Sequence, residues 1–199
     1  MENLAPVEHP IHDLLRRRWS PRAFAPRSVE REKLLALFEA ARWAPSSYNE
    51  QPWAYIVARK EDQENFARLL DCLIEFNQSW AREAPVLAVS VGHMKFSRNN
   101  QPNPHGLHDT GAASMALCVE ATHLGLVVHQ MAGFSGQKAR AAFAIPDDWE
   151  PAAAMAIGYP GDPEALPEKL REREKEPRTR KPIRDFVFGA GWQSKPEFL

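Results

Sequence analysis

The stretch from Gly106 to Leu124 limits what this chain can become more than any other. Ala112, Ala113, Met115, Ala116 and Ala121 leave a helix there small-sided and apolar nearly all round. A surface helix carries a single apolar stripe, so a helix without a polar face must be packed closely on several sides. Gly125 follows where such a helix ends in a capping residue. Val86 to Val91 makes the matching demand for a strand: it is apolar on both faces and reads as central in its sheet. The order is rich in helices, with strands spaced between them. That suggests a three-layer α+β or α/β domain.

The other elements fall around these two. Ile11 to Arg18 reads as a short helix, with Pro10 near its first turn. Ser28 is the expected N-cap of a helix running to about Trp43, with Leu34, Leu37, Phe38 and Ala41 on one face. Pro45 stops it. Trp53 to Ala58 is a compact apolar strand. A helix is expected over Asp62 to Ala81, broken near Asn77, and His93 to His105 is a polar loop. Leu126 to His129 and Ala152 to Ile157 are further strands. Ser135 caps a helix that ends before Pro146, and Asp162-Pro163 starts a last, charged helix through Glu176. Its run Glu168 to Lys175 mixes signs as a solvated face does.

Composition narrows the function. At 199 residues the chain is expected to be one domain over 1–199, long enough to bury a core. A formal net charge of −1 sets up no field that draws nucleic acid or an anionic membrane. The start, with Glu2, Pro6, Glu8 and Pro10, lacks the pattern of a signal peptide. No segment approaches the ~20 apolar residues that span a bilayer. Cys72 and Cys118 lack CxxC spacing and read as reduced, buried thiols of a cytoplasmic protein.

Two motifs carry the chemistry. RRRWSPRAF, Arg16 to Phe24, gathers planar cations around a serine, and guanidinium forks grip phosphate in a bidentate way. APSSYNEQPW, Ala44 to Trp53, is a polar turn running straight into a strand, the kind of loop where binding residues sit. Together they suggest a phosphate-bearing cofactor with a polar ring system. The basic stretch Arg178 to Lys181 reads either as a solvated turn or as a second source of cations for phosphate.

Other patterns fail. Gly189-Ala190-Gly191 lacks the third glycine and the following helix of a dinucleotide fingerprint. His105 and His108 have no Cys or acid group to complete a metal set, so no metal site is expected. Asp109 opens the long helix, where an acid favours the helix dipole. Ser135 sits outside a GxSxG elbow. Hydrolytic and metal-dependent classes lose weight accordingly.

At this point the chain resembles a known family. Arg18-Trp19-Ser20-Pro21-Arg22 is similar to the N-terminal RxSxR/K element of the nitroreductase-like flavoproteins. Ala44 to Trp53 resembles their APSxxNxQPW turn almost letter for letter. Asn77-Gln78-Ser79-Trp80 before Ala84-Pro85, Asp109-Thr110-Gly111-Ala112, Gln130 to Phe134 and Arg178 to Pro182 are similar to further landmarks in register. Trp19, Trp80 and Ala132 stand where relatives often carry a polar or basic residue, a lysine and an acid, respectively.

The resemblance implies an α+β fold, a three-layer α-β-α sandwich with a mostly antiparallel central sheet. It implies non-covalent FMN and an obligate homodimer with active sites at the interface, completed by the C-terminal segment 178–199. Arg18, Trp19, Ser20 and Arg22 would then face the FMN of their own subunit, with Arg178 and Arg180 adding cations to its phosphate. Pro45, Ser46, Ser47 and Asn49 would line the flavin of the other subunit. Asn77 would bond the pyrimidine edge, and Ala132 and Gly133 would offer backbone N–H groups toward N5 and O4. No side chain need act as a catalytic nucleophile, because the cofactor carries the chemistry. The implied activity is ping-pong transfer of hydride from NAD(P)H through flavin N5 to a nitroaromatic, quinone or related small acceptor. Rival readings are a flavin-binding or storage protein without turnover, a member dedicated to one metabolite by aldehyde reduction or dehydrogenation, and a partner-binding domain that has lost its flavin. The 93–105 loop is a candidate for part of a substrate lid.

Overall fold

The computed structural model describes residues 3–199. A single sheet at its centre contains β1 (Trp53–Arg59), β2 (Val86–His93), β3 (Val127–Met131) and β4 (Trp149–Gly158). The order is β1-β2-β4-β3 and every neighbouring pair is antiparallel. β2 is internal, as its two apolar faces demand. Leu87, Val89 and Val91 point to one side of the sheet and Val86 and Ala88 to the other.

On the first side pack α3 (Gln63–Asp71), α4 (Glu75–Ala81), α6 (Gly136–Phe143) and α7 (Glu168–Lys175), through Phe66, Leu69, Trp80, Ala139 and Leu170. On the other lie α2 (Arg31–Arg42) and α5 (Gly106–His123), through Leu34, Leu37, Ala113, Leu117 and Ala121. A short α1 (Asp13–Arg17) lies against α5. The result is a three-layer α-β-α sandwich. Each fully buried Leu, Ile or Val in it contributes about 1.5–3 kcal/mol. No helix among the described residues is long and apolar enough to cross a membrane.

α5 is the helix the sequence demanded, and Gly125 follows it at φ +74°. Its small residues let α2 and the sheet approach from two sides. Its remaining side is open in one chain, where Leu107 is 42 % and Met115 39 % exposed.

Four boundaries differ from expectation. Ser28 does not cap α2: Glu30 is the N-cap residue, and Ser28 Oγ instead donates to Glu61 Oε1 at 2.5 Å. The helical stretch 62–81 breaks at Cys72–Ile74, not at Asn77. Leu73 forms a bridge with Phe134, and Ile74 N–H donates to Gly133 O, drawing that backbone out of the helix. The last helix comes in two pieces, a 3₁₀ turn at Pro163–Ala165 and α7, because Pro167 holds Leu166 extended at ψ 152°. β4 begins three residues early, at Trp149, and carries Pro151 in an internal strand. The register against β2 shifts between Ser90 and Val91, and β3 ends opposite Ala154, so at Pro151 β4 has a neighbour on one side only, where a strand tolerates proline.

Candidate cofactor site

The segment 18–22 leaves α1 and crosses toward the sheet, held at three points by residues far away in sequence. Arg18 O accepts from Arg178 Nη2 at 2.8 Å. Pro21 O accepts from His129 Nδ1 at 2.9 Å. The Arg22 N–H donates to the carboxylate of Glu174, a side chain only 2 % exposed. Burial pushes the Glu174 carboxyl up, against the pull of the Arg22 N–H and charge. Burial also pulls His129 down to about 4, so near neutrality its imidazole is uncharged and Nδ1–H is the donor.

This clamp presents the arginines to a cleft of about 230 Å³ that Arg18, Trp19, Ser20, Arg22, Arg178 and Arg180 help to line. Arg18 Nη1 reaches Ser20 Oγ at 3.3 Å. The Arg22 guanidinium lies over the Trp80 ring, 5.9 Å from its centroid, and its Nε is buried with no hydrogen-bond partner. A cationic donor buried without an acceptor is costly. The donor set fits an anionic group such as phosphate. Arg178 stands apart from the others. Its guanidinium donates to the backbone carbonyls of Asn3, Arg16 and Arg18, so it ties the C-terminal segment to the motif. Arg180 is exposed, and its Nη1 donates to Thr179 O.

Asn77, Ala132 and Gly133 join the same region. Asn77 Nδ2 donates to Gly133 O at 2.9 Å, and Ile74 N–H reaches the same oxygen at 3.1 Å. A Cβ on Gly133 would lie 2.5 Å from Asn77 Nδ2, so the glycine is needed for this close approach. Trp80 follows Asn77 by one helical turn on α4, which links the Arg22 contact to the Gly133 contact. Residues 18–22, Asn77, 132–133 and 178–180 therefore belong to one region of one chain.

Pro45, Ser46, Ser47 and Asn49 do not join it. Ser47 N–H donates at 3.0 Å to Asp109 Oδ2, in the first turn of α5, and Ser46 Oγ accepts from Gln51 N–H at 3.0 Å. The Arg18 charge instead acts on the second half of α5, at Cys118. Burial pushes the Cys118 thiol up, against the pull of Gln130 and of the Arg18 charge. Asp109 and Cys118 are nine residues apart on that helix, about 13 Å along its axis. No hydrogen bond or ion pair joins residues 18–22 to residues 45–49 among the described residues.

Three residues that matter here escape sequence reasoning. Glu174 hides in a charge run that reads as solvated, though its place on α7 four residues after buried Leu170 was a usable signal. His129 is part of an unremarkable strand. Asp109 is not merely a dipole-favouring acid: it is buried and anchors the turn.

The α-β-α sandwich, with an arginine-bearing cleft beside a tightly packed glycine loop, defines a protein of the nitroreductase fold. A solved structure described as an oxidoreductase containing FMN has a TM-score of 0.90 and 35% identity to this chain, covering 98% of it and 99% of the other. The sequence profile of the Nitroreductase family matches residues 15–77 and 73–159, and the chain belongs to that family. A Streptomyces coelicolor protein, provisionally named an NADH dehydrogenase/NAD(P)H nitroreductase, is 30% identical over 169 residues, 72% of this chain and 80% of that protein. An uncharacterized 15.4 kDa protein of Mycolicibacterium smegmatis is 39% identical over 84 residues, and the match spans 42% of this chain and only 56% of that relative.

Proposed function

We propose that the protein is an FMN-dependent oxidoreductase that takes electrons from NADH or NADPH and passes them to a small acceptor such as a nitroaromatic or quinone. The observation that carries this reading is the buried, unpartnered Nε of Arg22 in a cleft shared with Arg18 and Arg180. A phosphate supplies the acceptors these cations lack, through charge-assisted bonds. Bound FMN would supply the hydride chemistry, in two half-reactions.

The chain's own residues bind and orient. Arg18, Ser20 and Arg22 hold the phosphate end, with Glu174, His129 and Arg178 fixing their backbone. Arg180 adds charge. Asn77 fixes the loop at Ala132 and Gly133, whose backbone N–H groups offer donors to the ring. The turn at Pro45, Ser46, Ser47 and Asn49 serves a second copy of the chain. Its distance from Arg18 along α5 supports that assignment, as do the exposed Leu107 and Met115 on the same helix. Exposed apolar side chains on a packed helix suit a symmetric homodimer.

The test is Arg22→Ala, which keeps the backbone N–H that Glu174 accepts. FMN affinity is expected to fall roughly 10–100-fold, the loss of one charged hydrogen-bonding group. FMN titration of the stripped protein measures it. A variant that binds FMN as tightly as the parent sinks the phosphate assignment.

A further inference from the structure

The polar stretch after β2 is an ordered hairpin. Lys95 bridges to Pro102, Phe96 N–H donates to Gln101 O at 2.8 Å, and Asn103 N–H donates to Met94 O at 2.8 Å. Its tip is joined to the turn 44–51. Ser97 N–H donates to Glu50 Oε1 at 2.5 Å, a bond that holds the Glu50 carboxyl below its usual range. The rings of Tyr48 and Phe96 meet edge-on, with centroids 6.0 Å apart. Arg98 lies across both rings, its Cζ 4.0 Å from the Tyr48 centroid and 5.1 Å from that of Phe96.

A guanidinium stacked on a ring keeps its N–H edge available for an anion. Arg98 has no hydrogen bond or ion pair among the described residues, and Glu50, the acid beside it, is already engaged by Ser97. Tyr48 is 73 % exposed. Its backbone is left-handed, φ 55°, as are those of Asn49 (φ 54°) and Gln51 (φ 50°). Three non-glycine residues in that region within four positions persist only where the surroundings impose them, and such strain gathers at ligand sites. The turn is thus locked into a shape that displays an aromatic shelf with a planar cation on it.

We propose that Arg98, held over the Tyr48 ring beside Phe96, is a specificity residue that receives the anionic group of a substrate. This rests on the reading of turn 44–51 as a segment that lines the cofactor site. The shared chemistry is an oxyanion, a phosphate or a carboxylate. The group could be the 2′-phosphate that distinguishes NADPH from NADH, or the carboxylate of an aromatic acceptor.

The experiment compares Arg98→Ala with the parent as full-length, FMN-loaded protein. One arm measures binding of NADP⁺ and NAD⁺ by calorimetry. The other measures KM for 4-nitrobenzoate and for its uncharged methyl ester. The variant removes an exposed side chain without hydrogen bonds, and its melting temperature beside that of the parent checks that the fold is kept. The NADP⁺-to-NAD⁺ affinity ratio should fall about tenfold if the source is the donor phosphate. The ratio of KM for the acid to KM for the ester should rise about tenfold if it is the acceptor. Arg98→Lys should recover only part of either change, because an ammonium keeps the charge and loses the planar stack. Both ratios unchanged, with the parent binding nicotinamide normally, overturns the assignment of Arg98 alone. A parent that binds neither nucleotide and turns over neither acceptor overturns it together with the proposed function.

Discussion

Replacing Gly133 by alanine tests how the loop after β3 is built. The added Cβ would sit 2.5 Å from Asn77 Nδ2 and 2.7 Å from Ile74 Cδ1. Ile74 is half-exposed and can turn its terminal methyl away, so the strain falls on buried Asn77, which must swing off Gly133 O, or on the loop, which must move away from α4. Overpacking costs typically 1–3 kcal/mol, and the forfeited amide hydrogen bond adds about 0.5–1.5 kcal/mol. A total of roughly 2–4 kcal/mol lowers the melting temperature of a domain of this size by roughly 5–15 °C. Calorimetry at fixed protein concentration reads the shift, since association makes Tm concentration-dependent. Asn77→Ala removes the obstructing amide, and Gly133 O then keeps only the Ile74 N–H. Alanine at 133 should therefore cost less in the Asn77→Ala background than in the parent, a coupling of at least about 0.5 kcal/mol in a double-mutant cycle. A Gly133→Ala protein that melts within a degree or two of the parent would refute the packing argument. So would strict additivity with Asn77→Ala.

Two further outcomes follow from the same geometry. Asp109→Ala leaves the Ser47 N–H without its charged acceptor, which should cost about 1.5–3 kcal/mol. Faster amide exchange at Ser47, with α5 otherwise protected, would localise the effect to the turn; unchanged exchange there would contradict it. His129 has a folded-state pKa of about 4, below its ordinary 6.5. A depressed pKa means the unfolded chain binds the proton more readily. The contribution of neutral His129 is therefore whole above pH 6.5 and is lost as pH falls toward 4, with a slope of at most about 1.4 kcal/mol per pH unit. His129→Gln should flatten the urea stability profile across that window, and an unaltered profile would show that His129 does not titrate as described.

Much of this architecture was legible because its causes are local. Periodicity and chemical type along a few neighbours are enough to mark α5 as packed on more than one side and β2 as central. The same holds for Ser135, whose hydroxyl accepts from Lys138 N–H at 3.1 Å. The failures have long-range causes. Leu73 leaves the helix because Phe134 pairs with it, and nothing near Asn77 in sequence announces that bridge. Ser28 loses its cap to Glu61, 33 residues away. The short-range signal of clustered arginines singles out Arg18 and Arg22, which help to line one cleft. It could not separate Arg178, whose donors are taken by backbone carbonyls from the other end of the chain. Glu174 and His129 act on the motif across 152 and 108 residues respectively, a relation that appears only once the chain is folded.

The most direct test of the central claim is the visible absorption spectrum of the purified protein under anaerobic conditions. It should be recorded before and after addition of NADPH or NADH, and again after a quinone. The account predicts FMN bands that bleach with the nicotinamide and return with the acceptor. A colourless protein that takes up no FMN on reconstitution would contradict it, and so would a yellow one whose bands neither nicotinamide can bleach.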